Sequence, residues 1–233
     1  MNKKNNPTLP IKGRGRIAFT LAEVLITLGI IGVVSAMTMP TLIQSYRNHV
    51  VETRLKKVYS VMNQAIQRAE ADYGAKELWD FEDTEFYDKY YAPYLKVLKT
   101  EIINSNNDYR IIYFPDGSIL AMKENVHRDY FFYPNGKNFS VESLNEGRQK
   151  STGVILFPFR FAPDIEMDNQ GFLAFHYRKG FMPYAHNWDG KSDITATGHY
   201  ACKQNNSNYP NWCTLYIMQN GWKIPKDYPF KVK

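Results

Sequence analysis

The sequence predicts an α+β fold in which one long N-terminal helix packs against an antiparallel β-sheet. Between residues 17 and 73, an uninterrupted apolar run is followed by apolar residues that recur at spacings of three and four. After residue 109 the pattern changes to short runs rich in aromatic and β-branched residues, separated by turn signals. Of the 233 residues, 44–233 are enough for one globular domain, here called the head.

Residues 1–18 form a basic leader. It has five basic residues and no acidic one: Lys3, Lys4, Lys12, Arg14 and Arg16. The whole chain has 29 basic and 23 acidic residues, so Phe19 onward has 24 basic (29 − 5) against 23 acidic residues and a net charge of only +1. Because positive charge ahead of an apolar span stays in the cytoplasm, we expect the head to be exported. The near-neutral remainder argues against a nucleic-acid partner.

The apolar run is long enough to cross a membrane. From Val24 to Ile43 no residue is charged, and these residues would make about 30 Å of helix, the thickness of a hydrocarbon core. The alternative is a removed secretory signal, whose apolar region is normally about 7–15 residues long and ends at a small-residue site. Residues 35–37 match such a site poorly, so we predict a transmembrane helix over residues 19–43.

Glu23 stands at the start of this run. A carboxylate within an apolar helix costs a few kcal/mol unless it is paired or lies near an interface. One interpretation places Glu23 at headgroup depth, where water solvates it. The other gives it a cation on a neighbouring subunit.

The segment 18–32 reads A-F-T-L-A-E-V-L-I-T-L-G-I-I-G and resembles the N-terminal processing and methylation segment of type IV prepilins and type II secretion pseudopilins. The resemblance implies that a prepilin peptidase cuts between Ala18 and Phe19 and methylates the new amine of Phe19. Glu23 then becomes the fifth residue of the mature chain. The family usually has Gly before the cut, where this chain has Ala18.

The resemblance also implies a fold and a function. The fold is pilin-like, with a helix whose first half is transmembrane and whose second half is amphipathic. The function is that of a structural subunit, stored in the inner membrane with its N-terminus inside. There it meets an assembly platform and other pilin or pseudopilin subunits, and it ends in a periplasmic pseudopilus or an extracellular pilus. A minor tip pilin, acting as an adhesin or substrate-binding module, is the alternative.

The chemistry of assembly can be stated from the residues. The amine of Phe19 and the carboxylate of Glu23 lie about 6 Å apart along a helix, so the carboxylate of one subunit can pair with the amine of the next. Gly29 and Gly32 let helices approach closely, although glycine is also common in spanning helices. Pro40 removes a helix hydrogen bond and predicts a kink or a loosened turn.

Within the head, residues 44–73 predict an amphipathic helix with Gly74 as its C-cap. Its apolar positions are Val51, Leu55, Val58, Met62, Ala65, Ile66 and Ala69. Residues 78–99 predict short helices. Strands are predicted at 109–114 and 118–123, around a Pro-Asp-Gly turn, and then at 129–133, 152–160 and 171–178. A last helix is predicted at 212–220, followed by a tail held by Trp222 and Ile224.

Cys202 and Cys213 bound a loop near the C-terminus. Export favours a disulfide, and the pair resembles the disulfide-bounded C-terminal loop of many pilins. A zinc site that includes His186 or His199 is the alternative, without the usual paired ligand spacing.

A second candidate metal site is weaker. Asp164, Glu166 and Asp168 alternate like the start of a calcium loop, but the glycine comes late and no bidentate glutamate follows. A solvated turn is the alternative.

No motif predicts catalysis. The five histidines form no HExxH pair, and the sequence has no G-x-S-x-G, no phosphate loop and no CxxC. We therefore expect isolated surface or hydrogen-bonded histidines, no cofactor and no enzyme activity. An anchored extracytoplasmic enzyme is the least favoured alternative.

Overall fold

A computed structural model describes residues 19–104, 108–165 and 172–233 of the chain. The predicted leader, including Ala18, lies outside these ranges. The chain divides into two compact units with their boundary between Ile43 and Gln44. Both units contain part of the first helix, α1, which extends over Leu21–Tyr73 and includes Pro40.

The second half of α1 packs against the sheet, as predicted. Its buried residues are the seven predicted apolar positions, from Val51 to Ala69. The helix ends where Gly74, with a φ of 84°, donates its N–H to the carbonyl of Glu70 over 3.0 Å. A glycine accepts this left-handed conformation without strain, which explains why the helix ends here.

The sheet has six antiparallel strands in sequential order. They are β1 (Lys99–Ile103), β2 (Tyr109–Tyr113), β3 (Ile119–Lys123), β4 (Asp129–Tyr133), β5 (Phe157–Arg160) and β6 (Met182–Pro183). Short helices connect or flank them: α2 (Phe86–Tyr90), α3 (Val141–Leu144), α4 (Arg148–Ser151), α5 (Phe172–Tyr177) and α6 (Cys213–Gln219). The long N-terminal helix on an antiparallel sheet confirms the predicted α+β fold.

Both faces of the sheet are covered, because successive side chains of a strand point to opposite faces. One face joins the large core around α1, with Ile112, Leu120 and Phe132 as examples. The other face forms a smaller core in which Ile111 and Phe131 pack with Leu144 of α3. The central strands are therefore buried on both sides.

The predicted hairpin at Pro115-Asp116-Gly117 is confirmed. Phe114 donates its N–H to the carbonyl of Ser118 over 3.0 Å, and Gly117 has a φ of 79°. Two basic residues of α1 reach this turn. Arg54 donates to the carbonyl of Asp116 over 2.6 Å, and Lys57 lies 2.8 Å from its carboxylate. The polar edge of α1 is thus held to the sheet as well as its apolar face.

Two strand predictions are wrong in part or in full. Of residues 171–178, Phe172–Tyr177 form helix α5, while Gly171 lies outside the described residues. The buried positions Leu173, Ala174 and Tyr177 have helical spacing, and Phe175 between them is exposed. Of residues 152–160, only Phe157–Arg160 form a strand, because the chain turns at Gly153 with a φ of 78°.

The 78–99 region and the C-terminus also allow a comparison with the sequence. Helix α2 lies within the predicted short helices, but Lys99 begins β1, a strand that the sequence did not predict.

Helix α6 confirms the last predicted helix. Trp222 and Ile224 are partly buried against the large core, and the Trp222 ring lies 5.0 Å from that of Tyr59. The tail is held as expected.

Candidate functional site

The first candidate site is the apolar half of α1 together with Phe19. Every large apolar side chain between Phe19 and Ile43 is exposed, with exposed fractions of 42–80%. The helix is long and apolar enough to span a membrane. Between Phe19 and Gln44 the only charged residue is Glu23. An apolar surface of this extent requires lipid or other protein around it.

Glu23 has a role in its own chain that the sequence analysis missed. Its Oε2 accepts hydrogen bonds from the N–H and the hydroxyl of Thr20, both over 2.8 Å, and its own N–H donates to the Thr20 hydroxyl over 3.2 Å. This reciprocal arrangement is a capping box, which satisfies N–H groups that a helix start leaves unpaired. The spacing Thr-x-x-Glu would have revealed it.

Gly29 and Gly32 are not needed by the fold of the chain itself. A Cβ added at either position meets nothing within 4 Å. Both glycines lie within α1 and neither needs an unusual backbone conformation. Glycine in a helix interior costs about 1 kcal/mol relative to alanine in soluble helices. Both a spanning helix, in which glycine is common, and close packing by a neighbouring helix account for the two glycines.

The second candidate site surrounds the C-terminal loop. Cys202 and Cys213 form a disulfide with a Cα–Cα distance of 4.7 Å, and both are fully buried. This confirms the disulfide and excludes the alternative in which these thiolates bind zinc. Among the described residues, no group of three His, Cys, Asp or Glu side chains could hold a metal ion.

A polar groove of about 460 Å³ lies beside this loop. Gln149 of α4 closes one wall by donating to the carbonyl of Asn206 over 2.6 Å. Residues that line the groove include two lysines and four side-chain amides from α4 and the loop: Lys150, Lys203, Gln149, Gln204, Asn205 and Asn206. Phe230 adds an aromatic surface. The volume falls in the range of small-ligand pockets, and the lining combines polar side chains with apolar surface.

Of the calcium candidates, Glu166 and Asp168 lie outside the described residues. Asp164 lies within the described residues, and both oxygens of its carboxylate contact the guanidinium of Arg128. Arg128 Nη2 lies 2.7 Å from Oδ2, and Nη1 contacts Oδ1. Because the guanidinium already occupies the carboxylate, Asp164 is poorly placed to bind a cation. The calcium site stays a prediction.

Two histidines of the head, His127 and His176, serve as hydrogen-bonding groups in the core. His127 Nδ1 lies 2.7 Å from the carbonyl of Phe81, and His176 Nε2 lies 2.9 Å from that of Pro183. Both imidazoles are buried. Burial lowers the pKa of His176 to about 4, although the hydrogen bond with Pro183 acts in the opposite direction. His176 is therefore neutral at physiological pH.

One family model matches the chain over residues 41–232, and its description is a family of unknown function, DUF6613. The match covers nearly all of the head and begins after Pro40. The segment 18–32, which carries the prepilin resemblance, therefore lies outside the matched region. No curated protein and no solved structure was found to match the chain.

Proposed function

The chain belongs to DUF6613, a family of unknown function, and we propose that it is a pilin-like structural subunit of a type IV pilus or a type II secretion pseudopilus. The observation that carries this proposal is Glu23. It is the one charge between Phe19 and Gln44, on the exposed half of α1, and it lies four residues beyond Phe19, where the resemblance places the cut. A simple membrane anchor would use this carboxylate only to cap its helix start, whereas the resemblance gives it a second partner, the amine of a neighbouring Phe19.

The exposed half of α1 is suited to two successive environments, lipid before assembly and other subunits after it. Before assembly the helix is stored in the inner membrane, where lipid covers its side chains. After assembly the corresponding helices of other subunits cover them. Each large apolar side chain gains about 1.5–3 kcal/mol when it is removed from water, so either environment is strongly favoured over exposure.

The capping box supports a two-step use of Glu23. Thr20 occupies only Oε2 of the carboxylate. The other oxygen, Oε1, accepts no hydrogen bond from the described residues, and so it is available to the methylated amine of a neighbouring Phe19. The carboxylate is thereby oriented by its own chain before the partner arrives. Gly29 and Gly32 then let the neighbouring helix approach closely.

Mass spectrometry of the mature protein tests this proposal. The full chain is expressed with and without a prepilin peptidase. With the peptidase, the chain is expected to begin at Phe19 and to carry one additional methyl group on its amine. A chain that keeps Met1, or one that begins near Met37 after signal-peptide removal, would contradict the proposal. Replacing Ala18 with glycine provides the control, because it restores the usual family residue and should be cut at least as efficiently.

A second candidate function is a minor tip pilin whose head binds a polar ligand. The groove between Gln149 and Phe230, beside the disulfide loop, favours this alternative. The number of copies in each filament distinguishes the two functions, since a tip subunit is rare and a filament subunit is abundant. Labelling the chain and counting it along isolated filaments makes that measurement.

A further inference from the structure

Strand β1 forms an open edge of the sheet. It pairs along its full length with β2, and within the described residues no other strand pairs with it. An edge strand presents alternate N–H and C=O groups outward, ready to pair with another chain. Next to this edge, Leu98 is 69% exposed and Ile102 is 52% exposed. Neither side chain has a place in the core of its own head.

The sequence of this edge is complementary to itself when read in the opposite direction. Residues 98–102 are Leu-Lys-Thr-Glu-Ile. If a second copy pairs antiparallel with Thr100 opposite Thr100, each Lys99 faces a Glu101 and each Leu98 faces an Ile102. Charged residues normally protect an edge from pairing, but here the charges of the second copy have the opposite sign at each position.

The charged side chains are already held on one face of β1. Lys99 Nζ lies 3.1 Å from Glu101 Oε2 and 4.3 Å from the centre of the Tyr113 ring, while the Tyr113 hydroxyl donates to Glu101 Oε1. A second copy would add two ion pairs across the two-fold axis. The four charges would then alternate in sign around a square, so every neighbouring pair would attract.

We propose that a second copy of this chain binds here, edge to edge, in a two-fold symmetric antiparallel ladder centred on Thr100. Such an isologous contact closes with two copies and does not propagate into a fibre. The ladder is shorter than a standard stable interface, so the contact is weak in dilute solution. It does not depend on leader cleavage or on filament assembly, and it is tested on the uncleaved chain.

Cysteine cross-linking of the full-length chain in detergent tests the register. Directly opposed residues in an antiparallel ladder have Cα atoms about 4.5 or 5.5 Å apart, and both distances are within disulfide reach. The two native cysteines are already bonded to each other. Thr100→Cys is therefore expected to give a covalent dimer on mild oxidation. Val126→Cys, an exposed position outside the sheet edge, is the matched control.

The expected yield of dimer is about tenfold higher for Thr100→Cys than for the control, because two attractive pairs hold the opposed residues together. Lys99→Cys alone should resemble the control, while a mixture of Lys99→Cys and Glu101→Cys chains should cross-link. Equal yields for Thr100→Cys and Val126→Cys would overturn the proposal. Efficient self-linking of Lys99→Cys would also overturn it, because it would mean a different register. An adduct of Thr100→Cys with another protein in membranes would overturn it as well.

Charge reversal tests whether Lys99 and Glu101 attract the second copy, independently of cysteine reactivity. In the Thr100→Cys background, Lys99→Glu places two acids opposite each other on each side of the axis and should lower the dimer yield about tenfold. Glu101→Lys should do the same with two bases. The double exchange, Lys99→Glu with Glu101→Lys, restores opposite signs and should recover the yield. Failure of the double exchange to recover it would contradict the proposed pairing.

Discussion

The two halves of α1 use similar apolar residues but differ in what covers them. From Leu21 to Ile43 the large apolar side chains are exposed all round the helix, and this half carries a single charge. From Gln44 to Tyr73 the apolar residues form one buried stripe, and basic residues on its border bind the hairpin turn. The second half is completed by its own chain, whereas the first half requires partners.

The largest expected effect is that of replacing Glu23, the single charge in the exposed half of α1. We expect Glu23→Gln to reduce incorporation into filaments by about 10²–10⁴-fold, because removing one partner of a desolvated ion pair costs about 3–5 kcal/mol. Leader cleavage and the stability of the head should not change. Quantifying the subunit in sheared filaments, relative to its amount in the membrane, gives the measurement.

Thr20→Val is the matched control for Glu23→Gln. It removes the side-chain cap of α1 but keeps the carboxylate, so its effect should be limited to the loss of a helix cap, about 1 kcal/mol. If Thr20→Val impairs incorporation as severely as Glu23→Gln, the carboxylate acts only as a cap and the proposed intersubunit pair is wrong.

The second prediction compares one leucine from each half of the helix. Leu55 is fully buried, so Leu55→Ala should lower the free energy of unfolding of the head by about 2–5 kcal/mol. Leu25 is 61% exposed, and Leu25→Ala should leave that free energy unchanged. Urea unfolding of both variants in detergent, followed by tryptophan fluorescence, measures the difference. Equal losses would mean that the two halves of α1 do not differ as described.

The third prediction concerns the disulfide. Replacing Cys202 and Cys213 together with serine should destabilise the head by about 3 kcal/mol, because the unfolded chain regains the freedom of its closed loop. Membrane insertion through the first half of α1 should be unaffected. Thermal unfolding of the wild-type and variant chains tests this, and the wild-type chain under reducing conditions should match the variant.

The smallest expected effect depends on pH and is confined to the head. His176 has a pKa of about 4 in the folded head, against about 6.5 when unfolded, so the folded state disfavours its protonation. Its contribution to stability is complete above about pH 6.5 and is lost as the pH falls towards 4. Between pH 7 and pH 5 the head should lose about 2 kcal/mol from this residue. Urea unfolding at both pH values, with His176→Gln as the comparison, isolates that loss.

The elements that the sequence predicted are those set by local patterns. The seven apolar positions of α1 repeat at helical spacing, and the Pro-Asp-Gly hairpin has strong local turn chemistry. The disulfide was predicted from the presence of only two cysteines together with the expected export of the head. Neighbouring residues determine the helix and the hairpin, whereas the disulfide was predicted from the oxidising compartment expected for the head.

The elements that were missed depend on tertiary contacts. Residues 172–177 are rich in aromatics, as strands often are, and only their burial at helical spacing makes them α5. Strand β1 has largely exposed residues and therefore lacks the alternation that identifies a half-buried strand. At the candidate site, the Glu23 position was found from its charge, but the cap that orients it required attention to Thr20.

The capping box has an electrostatic consequence for the proposed mature subunit. Cleavage before Phe19 would create an ammonium group next to the start of α1, where the partial positive charge of the helix dipole repels a cation. The Glu23 carboxylate of the same chain, held at that end by Thr20, offsets this repulsion while the subunit is alone. In the proposed subunit, the positive charge at the helix start would thus be largely offset before assembly by the same carboxylate that a neighbour would later share.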